Sequence, residues 1–303
     1  MRAATAQPAP LAGIALVITA MACFATLDTT AKLVSMSVPL LMAIWFRYCI
    51  QAVVTTLAVL PQRGLSVLKT KHPRFQMLRG LLLVITSFFA FGSLKYLPVA
   101  EFTAIGSLVP LVITLLAARM LGEQVSKLRW VLVLGGFAGA MLIIRPGGAN
   151  FIWPMLLPLG AVVTYSWFQL LTGHMVKTEN PLTMHLYTGW VGTLVASLML
   201  PFVWINPTQT ELGMLLLMGA LGTVGHYFLI LAYTRSPASN LTPYLYAQIV
   251  FAMLGGWLVV SQVPDNWALA GIAVIAVCGV AGALLTNYES RVLGQLPMKT
   301  LET

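Results

Sequence analysis

Asp28, Lys32 and Arg47 are the residues with most to explain. They fall in residues 24–47, FATLDTTAKLVSMSVPLLMAIWFR, within otherwise apolar sequence. Asp28 and Lys32 are four apart and share one face of a helix. An ionised side chain at the centre of a bilayer costs at least ~2.5–3.5 kcal/mol, so such groups persist where they hold structure or meet a solute. A rise of ~1.5 Å per residue from the nearest helix end puts Asp28 roughly 9 Å and Arg47 roughly 12 Å below one membrane face. At matched depth on neighbouring helices, an Asp28–Arg47 ion pair would relieve much of the burial penalty of each. Two roles stay open for it: a clamp between the first two helices, or a pair that opens to a charged or zwitterionic solute, Arg47 taking the anionic group. Lys32, Lys95 and Glu101 lie nearer the outer end, where each can snorkel to water or help select charged solutes.

Polar and aromatic candidates lie deeper. Tyr165, Trp167 and Gln169 share one apolar segment, His226 and Tyr227 another, and Tyr244, Tyr246 and Gln248 a third. Gln248 falls ~15 Å into its helix, where an amide needs partners, either across helices or on a solute. The aromatics can stack on a planar ring, fill the core or form interface belts. His226, the one histidine read as deep in a helix, can relay a proton or rest in the core. Pro110 interrupts a helix midway and offers a gate hinge.

The elements that must position these groups are membrane helices. The chain is 59% hydrophobic and 8% charged, against about 25% charged for soluble domains, with a mean hydropathy of +0.88. Ten segments approach the ~20 apolar residues that cross a bilayer: roughly 11–34, 39–60, 76–95, 98–121, 127–145, 152–174, 182–204, 211–233, 238–261 and 266–287. Prolines punctuate most of the turns between them. The first apolar run is too long for a signal-peptide core and reads as a retained helix. The fold class expected is therefore an all-α integral membrane protein.

A net charge of +9 would suit nucleic acid, but its placement excludes that partner. Of the 17 Lys and Arg, all but Lys32, Arg47, Lys95 and Arg145 fall at the ends shared with the termini. The positive-inside rule then puts both termini in the cytoplasm. Arg79, Arg119, Lys127 and Arg129 are counted there as end or loop charge, and the basic 61–79 loop as a topology anchor. Cys23, Cys49 and Cys278 show neither metal nor disulfide spacing and read as packed side chains. No phosphate-binding glycine loop, paired-His metal motif or nucleophile elbow is present, so no enzyme, cofactor or metal centre is expected.

The two halves resemble each other. Pro98 matches Pro237, Thr103 matches Thr242 and Glu123 matches Gln262, each 139 residues on. This divides the chain into residues 1–148, residues 149–288 and a cytoplasmic tail, 289–303. Five helices in each half, an odd number, insert the second half upside down. Inverted repeats mark secondary transporters, with the solute site between the halves near the midplane. The helix with Gly135, Gly136 and Gly139 and the helix with Gly271, Gly279 and Gly282 are repeat counterparts, their glycine faces suited to close packing or a homodimer contact.

FATLDTTAKL with WFR, the run YLPVAEFTAIGSLVPLVITLLAARMLGEQVSKLRWVLVLGGFAGAMLIIRPG, and YLYAQIVFAMLGGWLVVSQVPDNWALAGIAVIAVCG carry a resemblance over nearly the whole chain. They resemble the EamA branch of the drug/metabolite transporter superfamily. The Asp28, Lys32 and Arg47 pattern is most similar to the subgroup of bacterial riboflavin and S-adenosylmethionine uptake proteins. Gln262 departs from the Glu that many members carry there. The resemblance implies a multi-pass protein of the bacterial inner membrane that moves a small polar or charged metabolite by alternating access, and Arg47 and Asp28 beside midplane Tyr and Trp favour an aromatic or heterocyclic one. Its partners would be that solute, lipid, and coupling protons or a counter-substrate. An amino-acid or drug exporter of the same fold is the nearest alternative, and an intramembrane lipid-modifying enzyme or a channel the more distant ones.

Overall fold

A computed structural model describes residues 11–121, 127–149, 151–175, 178–235, 241 and 244–293. The helices are α1 (Leu11–Val34), α2 (Leu40–Arg63), α3 (Pro73–Leu94), α4 (Val99–Gly106), α5 (Val109–Leu121), α6 (Lys127–Ile144), α7 (Leu157–Met175), α8 (Pro181–Val203), α9 (Gln209–Arg235), α10 (Ala247–Val260) and α11 (Asn266–Leu293). Among the described residues, eight helical spans are long and apolar enough to cross a membrane. Two shorter apolar stretches, Val99–Ile113 and Ala247–Val260, accompany them. Large apolar side chains such as Phe202, Leu198, Leu57 and Trp257 stand exposed on the outside, a surface that water would not tolerate and lipid matches.

Local chemistry sets the helix ends. Asn180 caps α8 by accepting from the Leu182 amide, with Pro181 in the first turn, where its missing N–H costs nothing. Thr208 and Glu211 form a reciprocal capping box before α9. Inside the bundle, Ser and Thr hydroxyls return to the carbonyl four residues back, as Thr29 does to Ala25 and Thr193 to Gly189. That satisfies each donor without a second helix.

α1 packs on α9 and α10, α2 on α8 and α9, α3 on α7 and α8, and α6 on α11. The α6–α11 seam is reciprocal. A methyl placed on Gly139 would lie 2.8 Å from the Gly271 carbonyl oxygen and 2.9 Å from Ile275. One placed on Gly271 would lie 2.6 Å from the Gly139 oxygen and 2.7 Å from Ile143. Gly135 backs onto Cys278 in the same way. The partner's number falls as the residue number rises along this seam, so the two helices run antiparallel. Their glycine faces are used against each other within one chain.

The fourth predicted span is not one helix kinked at Pro110. It breaks at Ser107 and Leu108, where the Leu108 amide bonds to the Ile105 carbonyl three residues back. Pro110 stands in the first turn of α5, a position that tolerates it. In the second half α10 begins just after Tyr246. Tyr246 lies 139 residues after Ser107, the repeat offset, and its phenol donates to the Ser107 carbonyl at 3.2 Å.

Candidate functional site

A cavity of about 420 Å³ occupies the middle of the bundle. Asp28 of α1 and Arg47 of α2 line it, with Tyr165 and Gln169 of α7, His226 of α9, and Tyr246 and Gln248 of the second half. Phe24, Phe91 and Phe102 add aromatic walls, and Pro110 borders it from α5. α6 contributes only from its start (Arg129, Leu132, Val133), and α11 only from its second half (Gly279, Gly282, Ala283). The lining is therefore weighted toward one end of the bundle.

The opposite end is sealed by buried Val34, Leu94, Leu97 and Val99. Lys32 belongs to this seal. Its side chain does not snorkel to water: it is buried, and its Nζ donates to the Lys95 and Leu97 carbonyls at 3.3 and 3.1 Å. A cation there satisfies carbonyls left over at the C-terminus of α3. Glu101 is buried beside it, within electrostatic reach of Lys32, Arg145 and Asp265. On the rim Arg145 pairs with Asp265 at 2.7 Å. The Ala268 backbone amide and that guanidinium hold the Asp265 carboxyl below its ordinary range. Neither Lys32 nor Glu101 lines the cavity.

The expected Asp28–Arg47 ion pair does not form. Asp28 accepts from the Gln248 side-chain amide at 3.0 Å, a partner 220 residues away in the other half. Arg47 donates through Nη1 to Ser87 Oγ at 2.9 Å, with its guanidinium 4.8 Å from the centre of the Tyr48 ring. Trp167, Tyr227 and Tyr244 stand among the exposed side chains and are not part of the lining.

Sequence reasoning missed several groups. Arg79, counted with the loop charge, is buried in α3. It donates to Thr172 Oγ1, the Met184 carbonyl and Thr188 Oγ1 at 2.7–2.8 Å and lies over the Phe168 ring. Arg129, read the same way, lines the cavity. His226 is not alone at depth: His185 is also buried, 6.1 Å from it between ring centres, and bonded to Gln51. The threonines spaced along α7 and α8 were the available signal for Arg79. Arg119, Glu123 and Lys177 lie outside the described side chains. Cys23, Cys49 and Cys278 are free thiols.

Single charges from separate helices face a walled cavity, and among the described residues no cluster of His, Cys, Asp and Glu could hold a metal. The model of the EamA-like transporter family matches residues 11–145 and again residues 152–287. The chain belongs to the EamA-like transporter family. It is a multi-pass membrane transporter of small metabolites and not an enzyme. It is 28% identical over 235 residues to the S-adenosylmethionine uptake transporter of Rickettsia bellii, covering 76% of this chain and 79% of that one. It is 29% identical over 289 residues to the riboflavin transporter of Vibrio cholerae, covering 93% and 95%. The pseudopaline exporter of Pseudomonas aeruginosa is 25% identical over 274 residues, 89% of this chain and 95% of its own. A crystal structure at 20% identity superposes with a TM-score of 0.64 over 93% of this chain and 98% of that one, which establishes a shared fold.

Proposed function

We propose that this transporter is a secondary carrier of the bacterial inner membrane, working by alternating access between two inverted five-helix halves, residues 1–148 and 149–288. In this reading α4 with α5, and residues 238–261, each make one crossing, ten in all. Both termini then lie in the cytoplasm, at the end rich in exposed Arg63, Lys69, Lys71 and Arg74. The antiparallel run of counterpart helices α6 and α11 supports the inversion, because an upside-down repeat reverses every helix. The paired breaks at Ser107 and Tyr246 support a gate between halves, since interrupted helices mark the binding region of such carriers.

The observation that carries the reading is the central cavity, in which Asp28 and Arg47 from the first half face Gln248 and Tyr246 from the second. A solute held there touches both halves at once. The favoured cargo is a small aromatic or heterocyclic metabolite bearing charge, with Asp28, Arg47, Tyr165, Gln169, His226, Tyr246 and Gln248 in contact with it. The relatives' names include both uptake and export, so direction has to come from vesicles of known sidedness. Proteoliposome counterflow tests the reading. Saturable exchange of a labelled solute supports a carrier, and linear unsaturated flux means a channel. Arg47→Ala should abolish exchange while the protein still elutes as a folded species. Loss of the folded species would assign Arg47 to structure instead.

A further inference from the structure

Arg47 is buried, 8% exposed, yet among the described residues no carboxylate lies within ion-pair distance of it. Its Nη1 bonds to Ser87, and its Nε is buried with no hydrogen-bond partner. A guanidinium carries five N–H donors in a rigid plane, and one edge of it matches two oxygens of a carboxylate or phosphate. Lysine offers no such fork. The far edge is fixed. Ser87 Oγ also meets the Tyr48 hydroxyl at 2.8 Å and the Leu83 carbonyl at 3.0 Å, and the guanidinium lies over the Tyr48 ring. The one acid in the lining among the described residues, Asp28, is occupied by Gln248, and a second guanidinium, Arg129, borders the same cavity.

We propose that the transported solute must carry an anionic oxygen group, carboxylate or phosphate, which docks on the guanidinium that Arg47 contributes to the cavity wall. Ser87, which accepts from Nη1, is the positioning residue for that guanidinium. The inference rests on the cavity being the solute site and adds the charge class that the site selects. Phe91, Phe102 and Tyr165 then supply the faces for the rest of the molecule.

Matched acid and neutral probes test it on purified full-length protein: nicotinate against nicotinamide, indole-3-acetate against indole-3-acetamide, and riboflavin 5′-phosphate against riboflavin. The readouts are the shift in unfolding temperature with probe concentration and counterflow in proteoliposomes. The acid of at least one pair should stabilise the wild type at a tenfold or more lower concentration than its neutral partner. That ratio should collapse to about one in Arg47→Gln and narrow several-fold in Ser87→Ala. Ser87→Ala keeps the guanidinium and stays informative if Arg47→Gln fails to fold, because a merely structural serine would leave the acid-to-neutral ratio unmoved. Equal response to both members of every pair, or an acid preference that survives Arg47→Gln, overturns the proposal. Saturable exchange of neutral probes without acid preference overturns the anion site and leaves the carrier standing. Absence of saturable exchange for every probe by folded protein counts against the carrier as well.

Discussion

The phenol of Tyr246 donates to the carbonyl of Ser107 at 3.2 Å, a hydrogen bond between residues 139 apart in the chain. Each marks an interruption in its helix. The backbone at Ser107 has left regular helix, and the phenol supplies a donor there. Gly279 makes room for it, because a methyl on Gly279 would run into the Tyr246 ring and hydroxyl.

Gly279→Ala should therefore destabilise the protein by about 1–3 kcal/mol through overpacking. Tyr246→Phe alone should cost about 0.5–1.5 kcal/mol for the lost hydrogen bond. Combined, the two should cost less than their sum, since removing the hydroxyl relieves part of the clash. A double-mutant cycle on thermal unfolding in detergent measures this coupling. Simple additivity would place Tyr246 elsewhere.

The antiparallel seam between α6 and α11 predicts a cross-link. Gly135→Cys, in a background with Cys23 and Cys49 replaced by Ala, should oxidise readily with Cys278. A Cβ at residue 135 would sit 2.7 Å from the Cys278 sulfur, close to the reach a disulfide requires. Mild oxidant should give a monomeric species of altered gel mobility that reductant reverses. Purely intermolecular dimers would refute the register.

Much of this architecture was legible because membrane helices announce themselves by length and by the prolines between them. The break within the fourth span was less so: Pro110 pointed three residues past Ser107, where the helix is interrupted. Facing was less legible. Tyr165 and Trp167 are two apart and so point to nearly opposite sides of α7, one into the cavity and one outward. A span that is apolar all round carries no stripe to say which side is which. Arg79 was misread because it stands six residues into α3, close to genuine loop charge. Only the fold brings Thr172 and Thr188 to it. The Asp28–Arg47 pair failed for a related reason: depth was matched within the first half, while the actual partner, Gln248, arrives from the second.

That difference in facing gives a transport prediction. Tyr165→Ala and Gln248→Ala should each lower the counterflow rate or raise the half-saturating concentration at least tenfold. Trp167→Ala and Tyr227→Ala should stay within about twofold of wild type, since their side chains stand outside the lining. Gln248→Leu should additionally cost about 1–3 kcal/mol, because it strands the buried Asp28 oxygen that accepts from it. Equal losses for Tyr165 and Trp167 would disprove the assigned faces.

The rim pair Arg145–Asp265 predicts a pH dependence of known sign. Asp265 is held below its ordinary range by the Ala268 amide and by Arg145. A depressed carboxyl stabilises the fold above its unfolded pKa, about 4. That contribution is lost as pH falls through the lowered folded value. Both side chains are about half exposed, at 45% and 51%, so the effect is small. Asp265→Asn should lower the unfolding temperature slightly at pH 7, and the gap to wild type should close on acidification below about pH 4. A gap that widens in acid would reverse the assignment.

A residue that faces a side chain can drift if its neighbour shrinks in step. Gly139 and Gly271 face each other's carbonyl oxygens, which no codon change can trim. No second-site suppressor of the ordinary kind is open to either position, and a bulkier residue at one must push two whole helices apart. The closeness of this crossing is thus set by main chain, and a side chain at either place would widen it.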